Sequence, residues 1–126
     1  MTATIRWAGG EHEFKLTIGD LRALQEKTGR GPEEILSRLA ARTWHVDEAI
    51  ETVRLGLIGG GMPREDAKRI VNLVVDRDPL VEFRLTAFEV LSRLLYPQEA
   101  DEPEKPKAPE TRPDDGTSAP STEADS

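Results

Sequence analysis

The stretch GLIGGGMPRED, from Gly56 to Asp66, has the residue types for anion chemistry: four glycines in six positions, then a proline and a charged run. Glycine-rich loops that open into helices cradle phosphates, because bare backbone N–H groups and a helix N-terminus attract negative charge. A phosphate loop needs G-x-x-x-x-G-K-[ST], with the lysine neutralising phosphate and the hydroxyl holding Mg²⁺. Gly56 and Gly61 have the outer spacing, but Met62 and Pro63 stand in the Lys and Ser/Thr places. Pro63 also removes one of the N–H groups such a loop would use. A dinucleotide fingerprint requires a buried strand before the glycines, and here a helical pattern precedes them. Glycine past a helix end and proline at the next start are ordinary punctuation. The stretch therefore reads as a corner between two helices. Gly56 lies inside the earlier of those helices, where glycine costs about 1 kcal/mol against alanine, and a close helix–helix approach would account for it.

The remaining chemical candidates are few. His12 falls in a hairpin and His45 near a helix start, without His-Glu-x-x-His or paired Cys/His spacing. Asp47, Glu48 and Glu51 cluster at the start of a helix, where the macrodipole favours acids, and read as capping charge rather than a glycosidase pair. DRDP, Asp76 to Pro79, lacks the glycine and distal glutamate of a calcium loop and reads as a helix stop. Basic residues are scattered among acids, with no stripe able to release many counterions from nucleic acid. The residues thus predict no catalysis, no cofactor, no metal and no DNA or RNA partner.

Charge and apolarity divide the 126-residue chain in two. Residues 97–126 hold nine acids and three bases and six of the nine prolines, and after Tyr96 there is no aromatic, Ile, Leu, Val or Met. Such a segment buries too little apolar surface to offset its ordering entropy, which predicts a disordered acidic tail at 97–126 behind one globular domain at 1–96. The chain contains no cysteine, which excludes a disulfide framework and fits a reducing cytoplasm. MTATIRWAGG offers no signal-peptide core, and the apolar runs are far too short for a membrane span. A soluble cytoplasmic protein is expected.

Positioning elements follow from periodicity. ATIRW and HEFKLTI alternate, and a tight Gly9-Gly10 turn would join them as a hairpin. That register sets Arg6 opposite Glu13, Ile5 opposite Phe14, Ala3 opposite Leu16 and Trp7 opposite His12. It places Ala3, Ile5, Trp7, Phe14 and Leu16 on one face. A hairpin alone is marginal in water, so this face must lie on helices. Thr17 and Asp20 form a capping-box-like start to the first helix, which stops at Gly29. Pro32 opens the second, with Ile35, Leu36, Leu39 and Ala40 as its buried stripe. Val46, Ala49, Ile50, Val53 and Leu57 mark the third. The fourth runs from Pro63 to about Asp76 and buries Ala67, Ile70, Val71 and Val74. Pro79 opens the fifth, whose Leu80, Phe83, Ala87, Phe88, Leu91, Leu94 and Leu95 form a wide apolar face. The fold class is α+β but mostly α: an N-terminal hairpin packed on a bundle of about five short helices. Phe83 and Phe88 are expected in the core. Trp44 is expected as a staple against the third helix, and Trp7 and the Leu94–Tyr96 end as partner-facing.

The segment VDEAIETVRLGLIGGGMPREDAKRIVNLVVDRDPLVEFRLTAFEVL resembles the tail-assembly-chaperone proteins of gene transfer agents and related phages. In that family a helix ending G-L-x-G-G-G enters a short turn. A helix with an early alanine and a valine beyond it follows, and then a proline-started last helix. Here these are Gly56-Leu57, Gly59-Gly60-Gly61, Ala67, Val71 and Pro79-Leu80. The hairpin and EKTGRGPEEIL, Glu26 to Leu36, fit the front of the family pattern, so the resemblance covers about residues 3–96 and omits the tail.

The resemblance implies a non-catalytic factor that holds the long helical tape-measure protein soluble until tail-tube subunits polymerise around it. An apolar helix exposed in cytosol aggregates, and a small domain with an apolar groove can cover it reversibly. The expected partner-binding set is Phe83, Ala87, Leu91, Leu94 and Leu95 along the last helix, with Trp44 and Tyr96. Tape-measure or other tail proteins are the expected partners, with self-association left open and no membrane. Two alternatives stand beside this one: a structural tail component retained in the particle, and a regulatory adaptor whose acidic tail binds a basic partner.

Overall fold

The structure, a computed structural model, describes residues 2–97, so the expected tail at 97–126 lies outside the described residues except for Pro97. Two antiparallel strands, β1 (Ala3–Trp7) and β2 (Gly10–Phe14), precede five helices: α1 (Ile18–Thr28), α2 (Pro32–Ala41), α3 (Val46–Gly59), α4 (Arg64–Arg77) and α5 (Val81–Leu95). This is the expected mostly helical α+β arrangement.

The hairpin sorts its faces as alternation requires, with Ile5, Trp7 and Phe14 all buried. Its register differs from the expected one by two residues. Ala3 faces Phe14, Thr4 faces Glu13, Ile5 faces His12, Arg6 faces Glu11 and Trp7 faces Gly10. The turn is therefore Ala8-Gly9, and Gly10 alone takes a left-handed φ, 121°. Two contacts explain the slip. The Trp7 indole lies over Gly9, where an added Cβ would come within 2.5 Å of the ring. Its Nε1–H donates to His12 Nδ1 at 2.9 Å. Trp7 packs edge-on to Phe14 and Phe83, so it is a core residue and not the partner-facing one its place beside the turn suggested.

Helix α1 begins and ends, and α2 begins, for a visible reason. The Thr17 hydroxyl accepts from the Asp20 N–H, and Asp20 accepts from the Thr17 N–H, a reciprocal cap worth about 1 kcal/mol. Gly29 ends α1 in the left-handed region at φ 76°. Pro32 occupies the first turn of α2, whose buried residues are Ile35 and Leu39; Leu36 is half-buried and Ala40 exposed, so its stripe is narrower than expected. Ile70 on α4 and Ile50 on α3 are likewise half-buried, and Val46 is exposed at the first turn of α3.

α3 lies at the centre, packed against α1, α4, α5 and β2. α5 covers its other side and also meets α2 and β1. Long arginines stitch the layers through backbone carbonyls: Arg84 donates to Leu39 O, Arg93 to Thr4 O and Arg77 to Ala8 O. No helix among the described residues is long and apolar enough to cross a membrane.

Candidate partner-binding face

The glycine corner is built as a backbone weld. A Cβ on Gly59 would sit 1.9 Å from the Lys15 carbonyl oxygen, and one on Gly60 would sit 2.0 Å from that of Glu13. The end of α3 therefore rests directly on the strand's main chain, which only glycine permits. A Cβ on Gly56 would sit 2.8 Å from the Phe14 ring and 3.5 Å from Val90 of α5. The closest approach that Gly56 serves is thus to the hairpin, with the expected helix–helix approach second. The corner's N–H groups are consumed in closing the helix: Gly60 donates to Gly56 O, Gly61 to Ile58 O and Met62 to Leu57 O. Nothing in that arrangement presents N–H groups to an anion.

A second cluster centres on Glu48, a carboxylate only 1 % exposed. It accepts from the His45 N–H at 2.9 Å, as the capping reading of this residue requires. It also accepts from Arg30 Nε at 2.8 Å and Arg38 Nε at 3.1 Å, tying the α1–α2 connection and α2 to the start of α3. Burial pushes its pKa up, but the His45 N–H and the Arg38 and Arg30 guanidiniums outweigh this and hold it below the ordinary 4.5. A charge satisfied on all sides and sealed from solvent is a fastening. Among the described residues no group of His, Cys, Asp or Glu could hold a metal ion.

The expected binding set divides on inspection. Phe83, Ala87 and Leu91 are sealed at 1 % exposure or less and line no groove. Leu94, Leu95 and Trp44 are half-buried against the same core. Tyr96 is exposed at the end of α5. Phe88, expected in the core, is instead 38 % exposed, and it does not stand alone. Val81 and Leu85 are also exposed on α5, with Leu80 just before it. Val81, Leu85 and Phe88 follow a four-three spacing along α5 and are all exposed. That is the seam a helix offers to a second helix. The four-three spacing was the available signal, and the wide apolar face of α5 obscured it. Of the other exposed apolar residues, Ile18 is on α1, Val46 on α3, and Leu73 and Val75 on α4, where two residues apart in a helix they do not share a face.

Comparison with known proteins gives the context for this face. No curated protein and no solved structure matched the chain. A family model described as "Phage tail tube protein, GTA-gp10" matches residues 1–96, the whole hairpin-and-helix unit. The chain therefore belongs to the GTA-gp10 phage tail tube protein family, a family of gene transfer agent and phage tails.

Proposed function

We propose that the protein is a non-catalytic tail-assembly factor that holds a helical tail protein, the tape-measure protein, against the outer seam of α5. The observation that carries this is the Val81–Leu85–Phe88 seam, an apolar stripe left open on a domain whose interior is otherwise closed. Contiguous apolar surface in water is a standing aggregation cost that a partner removes. An amphipathic helix laid in parallel would supply matching residues at the same four-three spacing. The face differs from the one expected from sequence. Phe83, Ala87 and Leu91 support α5 from inside, while Val81, Leu85 and Phe88 meet the partner.

The experiment is co-expression with the tape-measure protein, wild type against Leu85→Asp/Phe88→Asp. Soluble tape-measure protein should be recovered with the wild type and lost with the double variant, while the variant itself stays folded by circular dichroism. Equal recovery with no factor present overturns the proposal.

One observation favours a second reading: the family description names a tail tube protein. On that reading the chain is a subunit retained in the particle. A ring of subunits needs two different complementary patches per chain. The Val81–Leu85–Phe88 stripe supplies one such patch, which suits a single partner better. Mass spectrometry of purified particles separates the readings, since a subunit is present in many copies and an assembly factor is absent.

A further inference from the structure

The protein carries a net charge of −7, yet one cleft collects unneutralised bases. It lies between the C-terminal end of α1, the middle of α3 and the first half of α4, with a volume of about 450 Å³. Ile50 and Val71 contribute apolar surface, and Lys27, Arg64 and Lys68 supply positive charge. Arg54, also in the cleft, is spent on Glu51 at 2.6 Å. Lys27, Arg64 and Lys68 make no ion pair among the described residues, whereas Arg30, Arg38, Arg69, Arg77 and Arg93 are each held by a carboxylate. Glu65 is the one other acid in the cleft, so it keeps a net positive charge on an acidic protein.

We infer that this cleft is the docking site of the chain's own acidic C-terminal segment. Charge complementarity is the first argument. Glu99, Asp101, Glu102 and Glu104 precede any base in that segment, and Asp114 and Asp115 follow as a pair. Composition is the second. The segment has no large apolar side chain, so it cannot cover the seam on α5, and a cationic cleft is the surface it can satisfy. Reach is the third. Residues 98–115 of a proline-rich chain can span roughly 55 Å at about 3.1 Å per residue. A folded unit of this size has a radius of gyration of about 13 Å, so every part of its surface is accessible from the end of α5. Tethering also presents the carboxylates at an effective concentration of about millimolar, enough to make weak ion pairs count together. The docking is electrostatic, independent of the partner on α5, and leaves that seam free.

The test uses the full chain, which has no cysteine, with Thr117→Cys carrying a nitroxide. At about 0.02 M salt, paramagnetic broadening should be at least about twofold stronger at the amides of Lys27, Arg64 and Lys68 than at Leu85 and Phe88. It should vanish at about 0.5 M salt, where the screening length falls from about 20 Å to about 4 Å. Arg64→Glu/Lys68→Glu, at exposed positions, should abolish it with the remaining spectrum unchanged. Broadening that is even over the surface, centred on α5, or indifferent to salt or to the charge reversal overturns the inference. So does broadening that appears when labelled chains without ¹⁵N are mixed with unlabelled ¹⁵N chains, which would mean docking onto a second copy.

Discussion

The weld between α3 and the hairpin and the outer seam of α5 are both apolar, both helical and only a helix apart, yet they are finished to different standards. At the weld, Gly59 and Gly60 bring main chain onto main chain, Phe14 fills the notch left by Gly56, and Val90 closes it from α5. At the seam, Val81, Leu85 and Phe88 are 43 %, 51 % and 38 % exposed. The same helix, α5, serves both: Phe83, Ala87, Val90 and Leu91 belong to the closed side. Close packing that tolerates no added methyl is what a chain uses to define its own fold. An apolar stripe left open at a regular spacing adds little to that fold, and under the proposed function it is the face that meets another chain.

The comparison breaks most sharply at the weld. Gly60→Ala puts a methyl 2.0 Å from a strand carbonyl that cannot move without dragging β2 away from β1. A loss of about 4 kcal/mol or more is expected, the range reserved for main-chain and core failures. Urea denaturation of the variant measures it; a loss under about 1 kcal/mol would mean that the weld is soft. Next come the two phenylalanines of α5. Phe83→Ala, at a sealed site, should cost about 3–5 kcal/mol through lost burial and a cavity. Phe88→Ala, on the same helix, should cost less than about 1 kcal/mol. Equal costs would erase the distinction between the two sides.

How much of this was legible in the sequence depends on the distance over which each feature is decided. The Thr17–Asp20 cap, the Gly29 stop and the Pro32 start are settled within four residues, and they stand where local chemistry puts them. The hairpin's faces were legible for the same reason, but its register was not. A slip of two keeps every side chain on its face, and Arg6 finds a glutamate across the strand either way, Glu13 or Glu11. What decides the register is the Trp7 ring seated on Gly9 and its bond to His12, which no pairing rule contains. Phe88 was misplaced because periodicity reports an apolar face without saying how many neighbours will cover it. α5 packs against α2, α3 and β1, which covers one side of that face and leaves the other. Glu48 was legible as a cap. Its burial was not, because Arg30 and Arg38 reach it from outside its own helix.

Glu48 sharpens the comparison from the charged side. Glu48→Ala removes a cap and the shared partner of two arginines, and should cost about 3 kcal/mol. Because both arginines keep some contact with water, the figure falls at the lower end for a broken buried pair. The pH dependence has a definite sign. The folded-state pKa of Glu48 is lowered, so its contribution is complete above the unfolded value near 4.5 and is lost as pH falls through the lower folded value. The stability difference between wild type and Glu48→Gln, followed by urea midpoints from neutral pH to about pH 3, should therefore shrink only below 4.5. A difference that faded between neutrality and pH 5 would assign the acid sensitivity to other groups.

The smallest expected change in stability tests the comparison hardest, because it must coincide with a large change in binding. Leu85 is 51 % exposed, so Leu85→Asp gives up little burial in the free protein and should shift stability by no more than about 0.5 kcal/mol. Against a helix laid along the seam, the same substitution buries an unpaired carboxylate in the middle of an apolar contact. Desolvating it there costs several kcal/mol, which converts to a loss of affinity of at least about a hundredfold. Titration calorimetry against a tape-measure fragment, read beside a denaturation curve of the same variant, gives both numbers. If Leu85→Asp unfolds the protein, the seam is part of the core after all. If it leaves both stability and binding untouched, the open side of α5 is bare surface and the partner docks elsewhere.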